Sequence, residues 1–150
     1  MIVIDSTTPL SAEGPRVLLI DSNVSLLKLI KHYLSAHHYH VTTADSPEEG
    51  LQVLQDFPAG FDTVITSLRF RIGFTSLDYL NRLDRARGHA RLVVTSGALP
   101  EMQEQFWLEE RRIPFLPKPY QPPHLLRLLA QVSPLPPTPS PHIAPPPPAP

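Results

Sequence analysis

The chain is 150 residues long, with 13 Lys+Arg against 14 Asp+Glu (a formal net charge of -1), no Cys and 20 Pro. That length suits one domain; the balanced charge argues against finding nucleic acid through a summed positive field, and the absent cysteines exclude disulfides, thiolate nucleophiles and Cys-ligated metals. No basic segment followed by a long apolar core opens the chain, and no apolar run is long enough to span a bilayer, so a soluble cytoplasmic protein without membrane insertion is expected.

Residues 1–15 read as an N-terminal arm, loose or pairing at a sheet edge. Its Ile2-Val3-Ile4-Asp5-Ser6 echoes Leu18-Leu19-Ile20-Asp21-Ser22, and Pro9, Gly14 and Pro15 interrupt what lies between. From Arg16 to Val132 short apolar runs alternate with helix-period segments. Val17–Ile20 predicts a first strand, and Leu26, Leu27, Ile30 and Leu34 the core stripe of a first helix. His40–Thr43 predicts a second strand; Ser46-Pro47-Glu48-Glu49 then supplies an N-cap, a proline at the first helical position and a capping-box Glu ahead of a stripe of Leu51, Leu54 and Phe57. A third strand at Thr63–Thr66 is followed by Leu77, Leu80 and Leu83, and a fourth at Leu92–Thr95 by Met102 and Phe106 as core-facing residues. Trp107, one position on, reads as core packing, with an interface anchor as the alternative. Ile113–Leu116 predicts a fifth strand, and Leu125, Leu128 and Leu129 the stripe of a fifth helix.

Ten of the 20 prolines lie in residues 133–150, which carry no Asp, Glu, Lys or Arg. This Pro-rich tail is expected to stay extended and solvated; a docking peptide is the alternative, since Pro134 to Pro137 has PxxP spacing, though without a basic residue to orient it.

Five βα units in 16–132 imply an α/β, doubly wound (βα)5 domain of the flavodoxin-like kind, with a five-stranded parallel sheet whose most apolar strands, the first, third and fourth, are central. In such sheets a site lies beyond the carboxyl ends of the central strands, which directs attention to Asp21, Ser22, Ser67, Ser96 and Lys118. Elsewhere, His32, His37, His38 and His40 cluster around the first helix end, but lack the spacing and carboxylate partner of a metal site. Arg69, Arg71, Arg82, Arg85, Arg87 and Arg91 gather around the third helix, and Glu101, Glu104, Glu109 and Glu110 on the fourth. These are read as solvated faces whose asymmetry would orient a protein partner.

Leu18-Leu19-Ile20-Asp21-Ser22-Asn23, Phe61 to Arg69, Val93-Val94-Thr95-Ser96-Gly97 and Phe115-Leu116-Pro117-Lys118-Pro119-Tyr120 together resemble the receiver domain of two-component response regulators across Arg16 to Val132. The resemblance implies two acidic residues at the first strand end, an acceptor Asp at the third, a Ser or Thr at the fourth and a Lys at the fifth. Asp21, Ser96 and Lys118 match; Ser22 and Ser67 stand where the second acid and the acceptor belong. The loop Phe70-Arg71-Ile72-Gly73-Phe74 also departs from the family pattern. Phosphoryl transfer to aspartate needs a carboxylate nucleophile and a divalent ion held by carboxylates, so the departures imply a degenerate pseudo-receiver with no Mg²⁺ site, no cofactor and no enzymatic activity. Asp62 precedes the third strand and belongs at the opposite end of the sheet, so it is not a substitute acceptor. Nothing after Val132 suggests a second globular domain. The expected function is phosphorylation-independent protein binding in a signalling pathway, with Phe115, Trp107 and Tyr120 on the output face and a homodimer through the fourth helix, fifth strand and fifth helix as one arrangement. The alternative is a relic pocket that senses a small anion or metabolite.

Overall fold

A computed structural model describes residues 14–68, 70 and 75–132. The arm at 1–13, Arg69, the loop residues Arg71 to Phe74 and the tail at 133–150 lie outside the described residues, and with them the readings placed there. In chain order the elements are β1 (Arg16–Ile20), α1 (Val24–Ala36), β2 (His40–Ala44), α2 (Pro47–Asp56), β3 (Thr63–Ser67), α3 (Ser76–Ala86), β4 (Arg91–Ser96), α4 (Met102–Glu110), β5 (Phe115–Pro117) and α5 (Pro122–Val132). The strands form one parallel sheet in the order β2-β1-β3-β4-β5. This is the flavodoxin-like (βα)5 fold expected, with β1, β3 and β4 in the middle and every residue of β3 buried.

Successive strand residues point to opposite faces, so one sequence feeds two cores. Val17, Leu19, Ile65 and Val93 pack under α1 and α5 against Leu27, Ile30, Leu34, Leu125 and Leu129. Leu18, Ile20, Val64, Leu92 and Val94 pack under α2, α3 and α4 against Leu54, Tyr79, Leu80, Leu83, Trp107 and Leu108. The second helix starts as predicted: the Ser46 hydroxyl accepts from the Glu49 amide at 3.1 Å, with Pro47 in the first turn. Gly50 lets this helix lie against β1, since a Cβ there would sit 2.5 Å from Ile20 Cδ1.

Three expectations fail, each for a local reason. In α4, Met102 and Phe106 are exposed and the buried residues are Glu104, Trp107 and Leu108. The rotation buries the larger indole and still satisfies its polar atom, because Trp107 Nε1 donates to Asn81 Oδ1 at 2.9 Å. It also takes Glu104 out of the solvated acidic face assigned to it. Phe57 is exposed because the helix stops there: its amide donates to the Val53 carbonyl, and a turn with Ala59 at φ 60° follows. The fifth strand begins at Phe115 instead of Ile113, because Arg112 turns with φ 55° and the Ile113 amide is taken by the Leu108 carbonyl at the end of α4.

Candidate functional site

The carboxyl ends of β1, β4 and β5 meet at one corner. The register that pairs Ser96 with Pro117 brings Lys118 beyond the sheet, where its amide donates to the Ser96 carbonyl at 2.7 Å. Lys118 Nζ then donates to Asp21 Oδ2 at 2.6 Å. The other carboxylate oxygen, Oδ1, accepts from the Asn23 amide at 2.9 Å, and Asn23 Oδ1 in turn accepts from the Leu26 amide as the N-cap of α1. Asp21 thus ties strand ends 97 residues apart and sets the start of the first helix. Its side chain is 5% exposed, whereas that of Lys118 is 23% exposed, so water reaches the ammonium more readily than the carboxylate.

The hydroxyl side of the corner is organised by the backbone. Ser67 is buried at the end of β3 opposite Thr95, and Ser96 Oγ accepts from the Ala98 amide at 3.1 Å as the chain turns away. Ser22, next to Asp21, is exposed. Among the sequence-derived candidates, Asp21, Ser96 and Lys118 are joined by these bonds, and Ser67 closes a neighbouring strand end.

Phe115, Trp107 and Tyr120 do not form one cluster. Phe115 packs against the core that holds Trp107, and Tyr120 against the core on the opposite side of the sheet. Burial, reinforced by the nearby Asp21 charge, pushes the Tyr120 hydroxyl pKa up to about 12. Arg111 lies over the Trp107 ring at 4.2 Å and, with Arg87, reaches Asp84; part of the basic character read around the third helix is therefore neutralised locally. Asp62 lies at the far end of the sheet, where its carboxylate accepts from the Arg16 amide at 2.7 Å. His37 stacks at a tilt on Tyr33, and among the described residues no group of three His, Asp or Glu is arranged to hold a metal.

Periodicity gave no sign of a polar line beneath the α3 and α4 layer. Thr66 Oγ1 donates to the Ser67 carbonyl at 2.9 Å and lies 2.7 Å from the Tyr79 hydroxyl, so the two hydroxyls are hydrogen-bonded beneath the helices. Burial raises the Tyr79 pKa well above its ordinary value. Ser76 Oγ donates to Glu104, whose other oxygen accepts from the Glu101 amide at 2.8 Å. The available signal was the spacing of Tyr79, Leu80 and Leu83, which puts the tyrosine on the inward stripe.

Comparison with solved structures places the fold. The chain is similar to a response regulator receiver domain protein from Clostridium thermocellum (22% identity over 79% of this chain and 93% of that one, TM-score 0.69). It is similar as well to the Vibrio cholerae chemotaxis protein CheY4 (21% identity, 79% and 98% covered, TM-score 0.66) and to a CheY-like receiver domain from Methanospirillum hungatei (18%, 78% and 91%, TM-score 0.68). No family model and no curated protein sequence matches the chain. The architecture is that of the CheY-like receiver domains, and no helix among the described residues is long and apolar enough to cross a membrane.

Proposed function

We propose that this domain is a signalling module that works by binding other proteins and has no aspartyl-phosphate switch, catalyses no reaction and takes no metal. The observation that carries this reading is the corner itself: Asp21 has one oxygen on Lys118 Nζ at 2.6 Å and the other on the Asn23 amide, while the companion positions Ser22, Ser67 and Ser96 offer hydroxyls. Mg²⁺ is held by carboxylates and retained waters. One carboxylate already opposed by an ammonium gives a formal pocket charge of roughly zero, so little draws a divalent ion in. A serine hydroxyl at position 67 is also a poor nucleophile toward a phosphoryl donor without a base to take its proton. The donor set does not fit the ion.

The test is an amide NMR titration of the full chain with Mg²⁺ and beryllofluoride, following Ser67, Ser96 and Lys118. Unmoved resonances are expected; a joint, saturable shift of all three would overturn the proposal. A Ser22→Asp/Ser67→Asp double variant sets the positive control, since restoring two carboxylates beside Asp21 should bring Mg²⁺-dependent shifts back. The runner-up, a small-anion pocket, uses the same hydroxyls, but its cation is held by Asp21. It predicts a rise in Tm with added phosphate that the protein-binding reading does not.

A further inference from the structure

Helix α4 carries apolar side chains on both sides. Glu104, Trp107 and Leu108 are turned inward, while Met102 and Phe106 project to solvent at 72% and 60% exposure, one turn apart on the same face, with Leu99 at 79% just ahead of the helix. Large exposed side chains grouped in this way mark a contact surface. Glu109 and Glu110, three and four positions after Phe106, are exposed beside the strip, as is Glu101 at its start. A second copy laid on it about a twofold axis would bring those carboxylates together, and an acidic partner would meet the same repulsion.

The chain itself supplies a segment that avoids this cost. After Val132 it continues for 18 residues with ten prolines and no Asp, Glu, Lys or Arg, so it brings no acidic side chain against Glu101, Glu109 and Glu110. Proline-rich segments lose little entropy on docking and pack well against aromatic surfaces. The tail leaves from the end of α5, which packs on the sheet face opposite α4, and β5 is the edge strand it must pass. At about 3.1 Å per residue it reaches roughly 55 Å, against a radius of gyration of about 13 Å for a domain of this size, so the strip is within range. A tether of this length holds the segment near the strip at an effective concentration on the order of millimolar.

We propose that residues 133–150 dock on the Leu99, Met102 and Phe106 strip of α4 and cover it in the resting chain. A protein partner that uses the same strip must displace the tail, which makes the tail a built-in competitor. This inference rests on the exposed α4 face and stands whether or not the strand-end corner takes a phosphoryl group.

The experiment uses the full chain with p-benzoylphenylalanine in place of Phe106, an exposed position that tolerates the change. Irradiation of dilute protein is expected to give a crosslink within one chain to a peptide from 133–150. Replacing Pro145 to Pro148 by Ser in that chain keeps the tether length and removes the run of four prolines, and should lower the yield severalfold. In the otherwise native chain, which has two methionines, the same four replacements should move the Met102 methyl resonance toward that of free methionine and leave Met1 unmoved. Crosslinks between chains that scale with concentration would make the strip a self-association surface and overturn the proposal. An unmoved Met102 methyl with no tail crosslink would overturn it equally.

Discussion

Beneath α1 and α5 the sheet meets aliphatic side chains from both helices together with the buried Tyr39 and, at the margin, Tyr33 and Tyr120, whereas beneath α2, α3 and α4 the same strands meet a layer threaded by polar pairs: Tyr79 on Thr66, Ser76 on Glu104 and Trp107 on Asn81. An aliphatic layer is specified by shape alone and tolerates volume-conserving exchange. A layer with buried hydroxyl, carboxylate and indole groups fixes the rotation of its helices, because each polar atom must reach its partner. That requirement explains why α4 turns Trp107 and Glu104 inward and leaves Phe106 outside.

Substitutions ordered by expected effect sharpen the contrast. Leu34→Ala removes a fully buried side chain from the aliphatic layer and should cost about 3 to 4 kcal/mol in denaturant unfolding. Leu34→Met should recover most of that, and a failure to recover would mean that this layer is as shape-specific as the other. Lys118→Met leaves the Asp21 carboxylate buried without its ammonium and should cost about 3 kcal/mol, at the low end for a broken buried pair because Lys118 is partly exposed. Asp21→Asn should cost less, since the released ammonium can turn to water; equal losses would argue against that asymmetry. Tyr79→Phe strips one hydroxyl from the polar layer and should cost about 1 kcal/mol.

The corner adds a pH signature. Tyr120 keeps its proton in the folded state up to about pH 12, above the ordinary tyrosine value near 10. Between those values the unfolded chain loses a proton that the folded chain holds. Its contribution is therefore complete below pH ~10 and falls away as pH rises toward about 12. Tyr120→Phe should flatten this alkaline loss in stability measured against pH, and an unchanged slope would assign the loss to Tyr79 and Tyr39, whose hydroxyls burial also raises. The smallest effect belongs to Phe106→Ala: the ring touches little of the core, a contact that contributes no more than about 0.5 kcal/mol, and any cost beyond that reports the proposed tail contact. A larger cost would show that something covers it in the full chain.

The βα alternation, the order of five strands and helices, the capped start of α2 and the strand-end positions of Asp21, Ser96 and Lys118 were legible in the residues alone. Each follows from a local period or from the rule that parallel strands end on one side of the sheet. The rotation of α4 came from tertiary contacts: Met102 and Phe106 form an apolar i, i+4 pair, while Trp107 and Leu108 share a face with the charged Glu104 (i, i+3, i+4), and an indole donor with an Asn acceptor on α3 turned that second face inward. The tertiary structure alone decided where Phe57 and Ile113 fall, because both amides are consumed by helix ends. Asp21 and Lys118 are already expected to face each other as a pair joining the first and fifth strand ends, and the fold brings them to 2.6 Å; what it added is the second Asp21 oxygen, which is taken by the Asn23 amide at the start of α1.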